Sequence, residues 1–244
     1  MTVAGQWLFV YYMVTHYGGT ALRGDAAAWG DSTIIGHAAG DGMGNAMFAA
    51  HILMAVIITF GGAFQLVPLI QRRARAWHRW NGRLFIATAL LLAVGGLYLV
   101  WVRDAILNLT GAIAISINAL LIIVFAVLAL RDARAGQMAS HRRWALRTFL
   151  MVNGVWFFRV GFMAWIILNQ GPVGSTENLD GPFDKVWAFA NYLLPLAVLE
   201  LYLRTQDRAG TRGKYTMAVG LVVLTMLMGV GIFGTYLFMW QPYL

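Results

Sequence analysis

Five residues in this chain are of types that an apolar sequence keeps at a cost: His51, His78, His141, Arg159 and Glu200. Neutral imidazole is the usual nitrogen ligand for iron and copper. His78 opens the run His78-Arg79-Trp80-Asn81-Gly82-Arg83, and His141 opens His141-Arg142-Arg143-Trp144-Ala145-Leu146-Arg147. Each run is His-Arg, then an aromatic, then Arg, and the two begin 63 residues apart. If each opens a helix, its arginines oppose the positive end of the helix dipole and sit beside unpaired N–H groups. Such a place suits an anion. A lipid phosphate, a heme propionate or a substrate carboxylate would serve, and the plain alternative is orientation-setting arginines beside interfacial histidines.

The elements that must position these residues follow from composition. The chain has 244 residues, of which 60% are hydrophobic and only 11% charged, with a mean hydropathy of +0.67. Soluble domains are about 25% charged. The balance excludes a soluble enzyme, a secreted disulfide scaffold and a disordered chain. With no Cys, thiolate metal sites, iron–sulfur clusters and Cys nucleophiles are excluded too. Met1 to Tyr17 lacks the basic start of a signal peptide.

Spans of roughly 20 apolar residues read as 3–18, 45–70, 84–102, 110–130, 148–168, 186–203 and 216–240. The first is the shortest. Long apolar runs without period-2 alternation make these helices and not barrel strands. The expected architecture is all-α: one integral membrane domain over 1–244, a polytopic bundle of about seven spans with its core in 45–203.

Lys and Arg are segregated. The segments 71–83, 131–147 and 204–215 hold 14 basic residues against Asp132 and Asp207, while the alternate segments hold Arg23, Arg103 and Lys185 against seven acidic residues, Asp31 among them. The positive-inside rule places the basic loops and the N-terminus in the cytoplasm and the C-terminus outside, in what would be a bacterial inner membrane. The net charge of +8 is thus an orientation signal with affinity for anionic lipid, and nucleic acid is not implied. Trp77, Trp80, Trp101, Trp144, Trp187 and Trp240 fall near span ends and read as interfacial anchors. Residues 19–44 and 169–185 read as solvated outer loops.

Arg159 falls near the middle of the fifth span, where arginine costs about 2.5–3.5 kcal/mol on insertion scales. It either holds an anionic or carbonyl group of a ligand, or bonds helix carbonyls and polar neighbours such as Gln65 or Asn118. His141 and Arg159 are 18 residues apart, five turns of a continuous helix, and would share one stripe. His51 is either an axial heme or metal ligand or a buried, hydrogen-bonded imidazole. Gly62, nearly aligned with it, would leave room for a planar group or a close helix. Glu200 reads as a salt-bridge partner for the basic loops. Gly229-Val230-Gly231-Ile232-Phe233-Gly234 fits a dinucleotide fingerprint but lies inside a span, so it reads as small-residue helix packing.

His51 with Gly62-Ala63-Phe64-Gln65, the His78 run continued by Leu84-Phe85, the His141 run and Arg159 together resemble a family of predicted bacterial multi-spanning membrane proteins of unknown function. The resemblance covers about residues 45–203. A second resemblance is to two-heme b-type membrane cytochromes, which imply axial histidines on alternate helices. His78 and His141 fit one such pair. His51 fits half of an outer pair, which His16 or His37 would have to complete.

Three functions stay open. The first is electron transfer with a membrane quinol through heme b, its iron held by His78 and His141, with Arg79, Arg83 and Arg142 at the propionates. The second is binding or transport of a lipid, quinone or small anion by Arg159, Gln65, Asn118 and Asn153. The third is a structural or assembly subunit.

Overall fold

A computed structural model describes residues 1–29, 36–106 and 108–244; Asp31, counted above on the acidic side, lies outside them. Among the described residues there are helices and no strands. Helix α1 (Thr2–Met13) runs through a π-helical turn (Val14–Gly18) into α2 (Gly19–Leu22). Then come α3 (Gly42–Gln65), α4 (Pro68–Arg73), α5 (Arg75–Trp101), α6 (Leu109–Arg134), α7 (Met138–Val152), α8 (Gly154–Leu168), α9 (Pro182–Arg208) and α10 (Thr211–Thr235). Five helical runs are each long and apolar enough to cross a membrane: α3, α5, α6, α9 and Thr211–Tyr243. The pair α7 and α8 makes a sixth if it is one span, bent by 58°. The seven spans of the sequence reading are therefore an approximate count, since α1 is divided at its π-turn.

Local chemistry sets most boundaries. Asp41 caps α3 by accepting from the Gly44 amide at 2.8 Å. Arg103 holds that cap, donating to Asp41 at 2.9 Å and to Asn45 at 2.7 Å. The guanidinium and the Gly44 amide keep the Asp41 carboxyl below the usual carboxylate range. Asn108 caps α6, accepting from the Gly111 amide at 2.8 Å. Proline cannot continue a helix, and Pro68 ends α3 sooner than the expected 70 and starts α4. Helix α5 begins at Arg75, well before the expected 84, because interfacial Arg and Trp residues form good helix without being apolar.

The helices pack in serial order, α3 on α5, α5 on α6, α6 on α7, and α8 on both α9 and α10; α1 closes the bundle between α3 and the end of α10. One buried cluster joins Phe9, Tyr12, Phe48, Leu99, Trp156 and Trp240. A second joins Ile58, Phe85, Ala119, Phe149, Met151 and Tyr192. Outward faces stay apolar, as at Leu53, Leu91, Leu120, Leu194 and Val223. In water such a girdle would be a liability; here it is the lipid face.

Two contact groups define the ends of the bundle. At one end Asn81 donates to the Gly61 carbonyl at 2.9 Å, and Gln65 to the His78 carbonyl at 3.3 Å. Arg147 grips Glu200 at 2.6 and 2.9 Å, and Arg143 pairs with Asp207. At the other end lie the Arg103 cluster and Asn108, which donates to the carbonyls of Asn178 and Leu179.

Three expectations are corrected. His141 and Arg159 do not share one straight helix, because the chain breaks at Asn153. Gly62 does not leave an empty slot: a Cβ there would lie 2.8 Å from the Phe85 ring, which fills the space. Trp240 is no interfacial anchor, being 1% exposed inside the first cluster. The small-residue reading of α10 holds. A Cβ at Gly231 would lie 2.1 Å from the Val160 carbonyl oxygen, so glycine is what lets α10 approach α8.

Candidate functional site

The two His-Arg runs fold into matched places. His78 is the fourth residue of α5 and its amide donates to the Ala74 carbonyl at 2.9 Å; His141 is the fourth residue of α7 and its amide donates to the Gln137 carbonyl at 2.9 Å. Each closes the first helical turn behind its own N-cap. Between their helices Phe85 and Phe149 stack at 6.4 Å.

His141 Nδ1 lies 2.8 Å from the Ala129 carbonyl oxygen. A carbonyl only accepts, so Nδ1 carries the proton and the neutral ring keeps its lone pair on Nε2. A bond of this kind, from the ring nitrogen that is not the ligand, is what metal-bound histidines use to fix ring and tautomer. His78 Nδ1 is buried and meets no hydrogen-bond partner among the described residues. Beside His141 lies Asp132, which sequence reading put in an exposed loop. It is 1% exposed and accepts from Ser140 and Arg131.

The arginines divide by partner. Arg143 and Arg147 are taken by Asp207 and Glu200, as expected for Glu200. Arg79, Arg83 and Arg142 are exposed and form no ion pair among the described residues; Arg83 lies over the Trp80 ring at 4.9 Å. Those three are the arginines that the sequence assigned to an anion at the histidine pair.

His51 sits apart, on α3, with its ring against Gly95 and Gly96 of α5 and its buried Nδ1 without a hydrogen-bond partner among the described residues. His16 is occupied by aromatic contacts, stacked on Tyr12 at 5.4 Å and beside Tyr243 at 4.9 Å. His37 is half-buried near the Arg103 cluster.

The second expected group does not converge. Gln65 is spent at the α3–α5 crossing. Asn118 donates to the Met151 carbonyl at 3.2 Å, and Asn153 donates to the Phe149 carbonyl at 2.7 Å. Asn153 also accepts from Gln6 at 2.8 Å. These amides service the α7–α8 break, where the helix leaves carbonyls unpaired. Arg159 lies about 9 Å further along α8 at 1.5 Å per residue. It bonds neither Gln65 nor Asn118; its guanidinium rests on the Phe9 ring at 5.5 Å. Sequence reading missed Gln6, Phe9 and Trp156. Gln6 carried a signal, an amide in an apolar span, which a search limited to ionisable groups passes over.

An apolar groove of roughly 270 Å³ lies between the first helical run and α3, lined by Met13, Tyr17, Trp29, Phe48, Ile52 and Val56 among others. No group of three or more His, Asp or Glu placed to hold a metal ion occurs among the described residues.

Apolar helices, a lipid-facing girdle and polar groups confined to the interior and two ends define a multi-spanning α-helical membrane protein. Residues 48–179 match the family described as predicted membrane protein (DUF2306), and the chain belongs to that family. No curated protein and no solved structure matches it. The matched stretch contains both His-Arg runs, His51 and Arg159.

Proposed function

We propose that the protein is a membrane electron carrier in which His78 of α5 and His141 of α7 would hold one heme b, with a bilayer quinol as its electron partner. The observation that carries this reading is the matched pair: two imidazoles, each on the fourth residue of its helix, one with its Nδ1–H already tied to a backbone carbonyl. The buried, unpartnered His78 Nδ1 fits a ring awaiting a further neighbour. Bound there, the heme would supply one-electron chemistry. The chain's own contribution is orientation and charge. The Ala129 carbonyl fixes the His141 ring, Phe85 and Phe149 stack between the two helices, and Arg79, Arg83 and Arg142 would offer cations to carboxylates. We place the basic end in the cytoplasm, on the charge segregation.

The test is an absorption spectrum of the detergent-purified protein, oxidised and then dithionite-reduced, after expression with ample heme. A Soret band with sharp reduced α and β bands is expected, lost in His78→Ala and in His141→Ala and kept in His51→Ala. A flat visible spectrum in the wild type overturns the reading.

A further inference from the structure

We infer that Arg159 anchors a second site, for the anionic head of an amphiphile, built from α1, α8 and α10 and separate from the histidine pair. Arg159 is 8% exposed. Its guanidinium forms no hydrogen bond and no ion pair with any described residue; its one polar contact is with the face of Phe9. The carbonyl of Arg159 is engaged by Thr235 at 3.3 Å, so the backbone is held while the side chain's five donors stay unmatched. A buried cation without a counter-charge is expensive, and a ring face offsets only part of that.

The surroundings share the same deficit. Phe9, which bears Arg159, also stacks on Trp240 at 5.4 Å. Trp156 lies one turn before Arg159 on the same buried face of α8. Trp156 and Trp240 are each 1% exposed, and the indole Nε1 of each has no acceptor among the described residues. Indole N–H and guanidinium only donate. Three donor groups thus belong to one aromatic cluster whose acceptors are neutral, the Tyr12 and Tyr17 phenols and, on α1, the unpartnered Gln6 Oε1, and which includes no carboxylate among the described residues. The missing group is one that only accepts and carries negative charge: a carboxylate or a phosphate. A neutral carbonyl would meet the hydrogen bonds and leave the charge. Because the site lies inside apolar helices, the ligand that reaches it carries an apolar tail.

The test uses the full chain, delipidated in mild detergent and titrated with oleate, with dioleoylphosphatidylglycerol and with oleyl alcohol, followed by Trp fluorescence and by the thermal midpoint. Oleate, the phospholipid or both are expected to bind and raise the midpoint, with oleyl alcohol at least tenfold weaker than oleate. Preference for oleate assigns a carboxylate, and preference for the phospholipid a phosphate. Arg159→Gln is expected to weaken the preferred anion at least tenfold, and Arg159→Lys, which keeps the charge and loses the fork, less than that. Binding of the alcohol as tightly as both anions, or of the preferred anion by Arg159→Gln as by the wild type, overturns the site. Should Arg159→Gln fail to fold, the wild-type comparison of oleate with its alcohol still decides. A heme spectrum left intact in Arg159→Gln separates this outcome from that of the histidine pair.

Discussion

At the scale of single residues, the ion pairs of the basic end differ more in environment than in distance. Arg143–Asp207 and Arg147–Glu200 are both 2.6 Å contacts, but the first pair's side chains are 43% and 42% exposed and the second's 15% and 34%. Water screens the first pair, and exposed pairs are worth about 0–1 kcal/mol. Both pairs are bidentate, but Arg147 also lies over the Trp144 ring at 4.5 Å. Removing the Glu200 carboxylate strands a half-buried fork. Glu200→Gln is expected to cost about 1–3 kcal/mol and Asp207→Asn under about 1 kcal/mol, read from thermal midpoints in one detergent. Equal losses would show that burial does not govern these pairs. Glu200 was legible in the sequence as a salt-bridge partner because basic residues crowd that end. Which arginine it chooses was not, since that depends on the rotation of α7 against α9.

Among the elements, α8 packs against both α9 and α10, and glycine sets how closely α10 approaches it. A Cβ at Gly231 would meet the Val160 carbonyl oxygen, which is backbone and cannot swing aside. Gly220, on the same helix, has open space around its Cβ position. Gly231→Ala is therefore expected to force α10 off α8 and destabilise by about 1–3 kcal/mol, whereas Gly220→Ala stays within about 0.5 kcal/mol of the wild type. A thermal-shift comparison of the two variants checks this, and a silent Gly231→Ala would remove close packing as the reason for that glycine. The helices themselves could be read as apolar runs. The break at Asn153 could not, because hydropathy stays high on both sides and what ends α7 is a side-chain amide bonding back to Phe149. Trp240 misled for a related reason: its place near a span end says nothing of rotational phase, and phase puts it against Phe9. The same missing phase hid the Arg159 cluster, whose ring and indole donors come from α1, α8 and the end of α10, far apart in sequence.

On the scale of the whole molecule, sidedness organises both proposed sites. The contacts at one end link the starts of α5 and α7 to the ends of α3 and α9, and the basic segments 71–83, 131–147 and 204–215 include or adjoin these stretches. The opposite end collects Asp41, Asn108 and the 169–185 loop. Moving an arginine-rich end across a membrane against the potential opposes about 2.3 kcal/mol per charge per 100 mV, and on that ground we propose that the basic end faces the cytoplasm. The chain contains no cysteine, and a single one can report this directly. Gln137→Cys lies in the exposed turn before α7, and Asn178→Cys in the exposed loop before α9. In intact spheroplasts a membrane-impermeant maleimide is expected to label Asn178→Cys at once and Gln137→Cys only after permeabilisation. The reverse pattern would invert the bundle. It would also move His78 and His141 to the outer surface, where a heme held between them would exchange electrons with partners outside the cell, while leaving Arg159, within the span, equally reachable through the lipid.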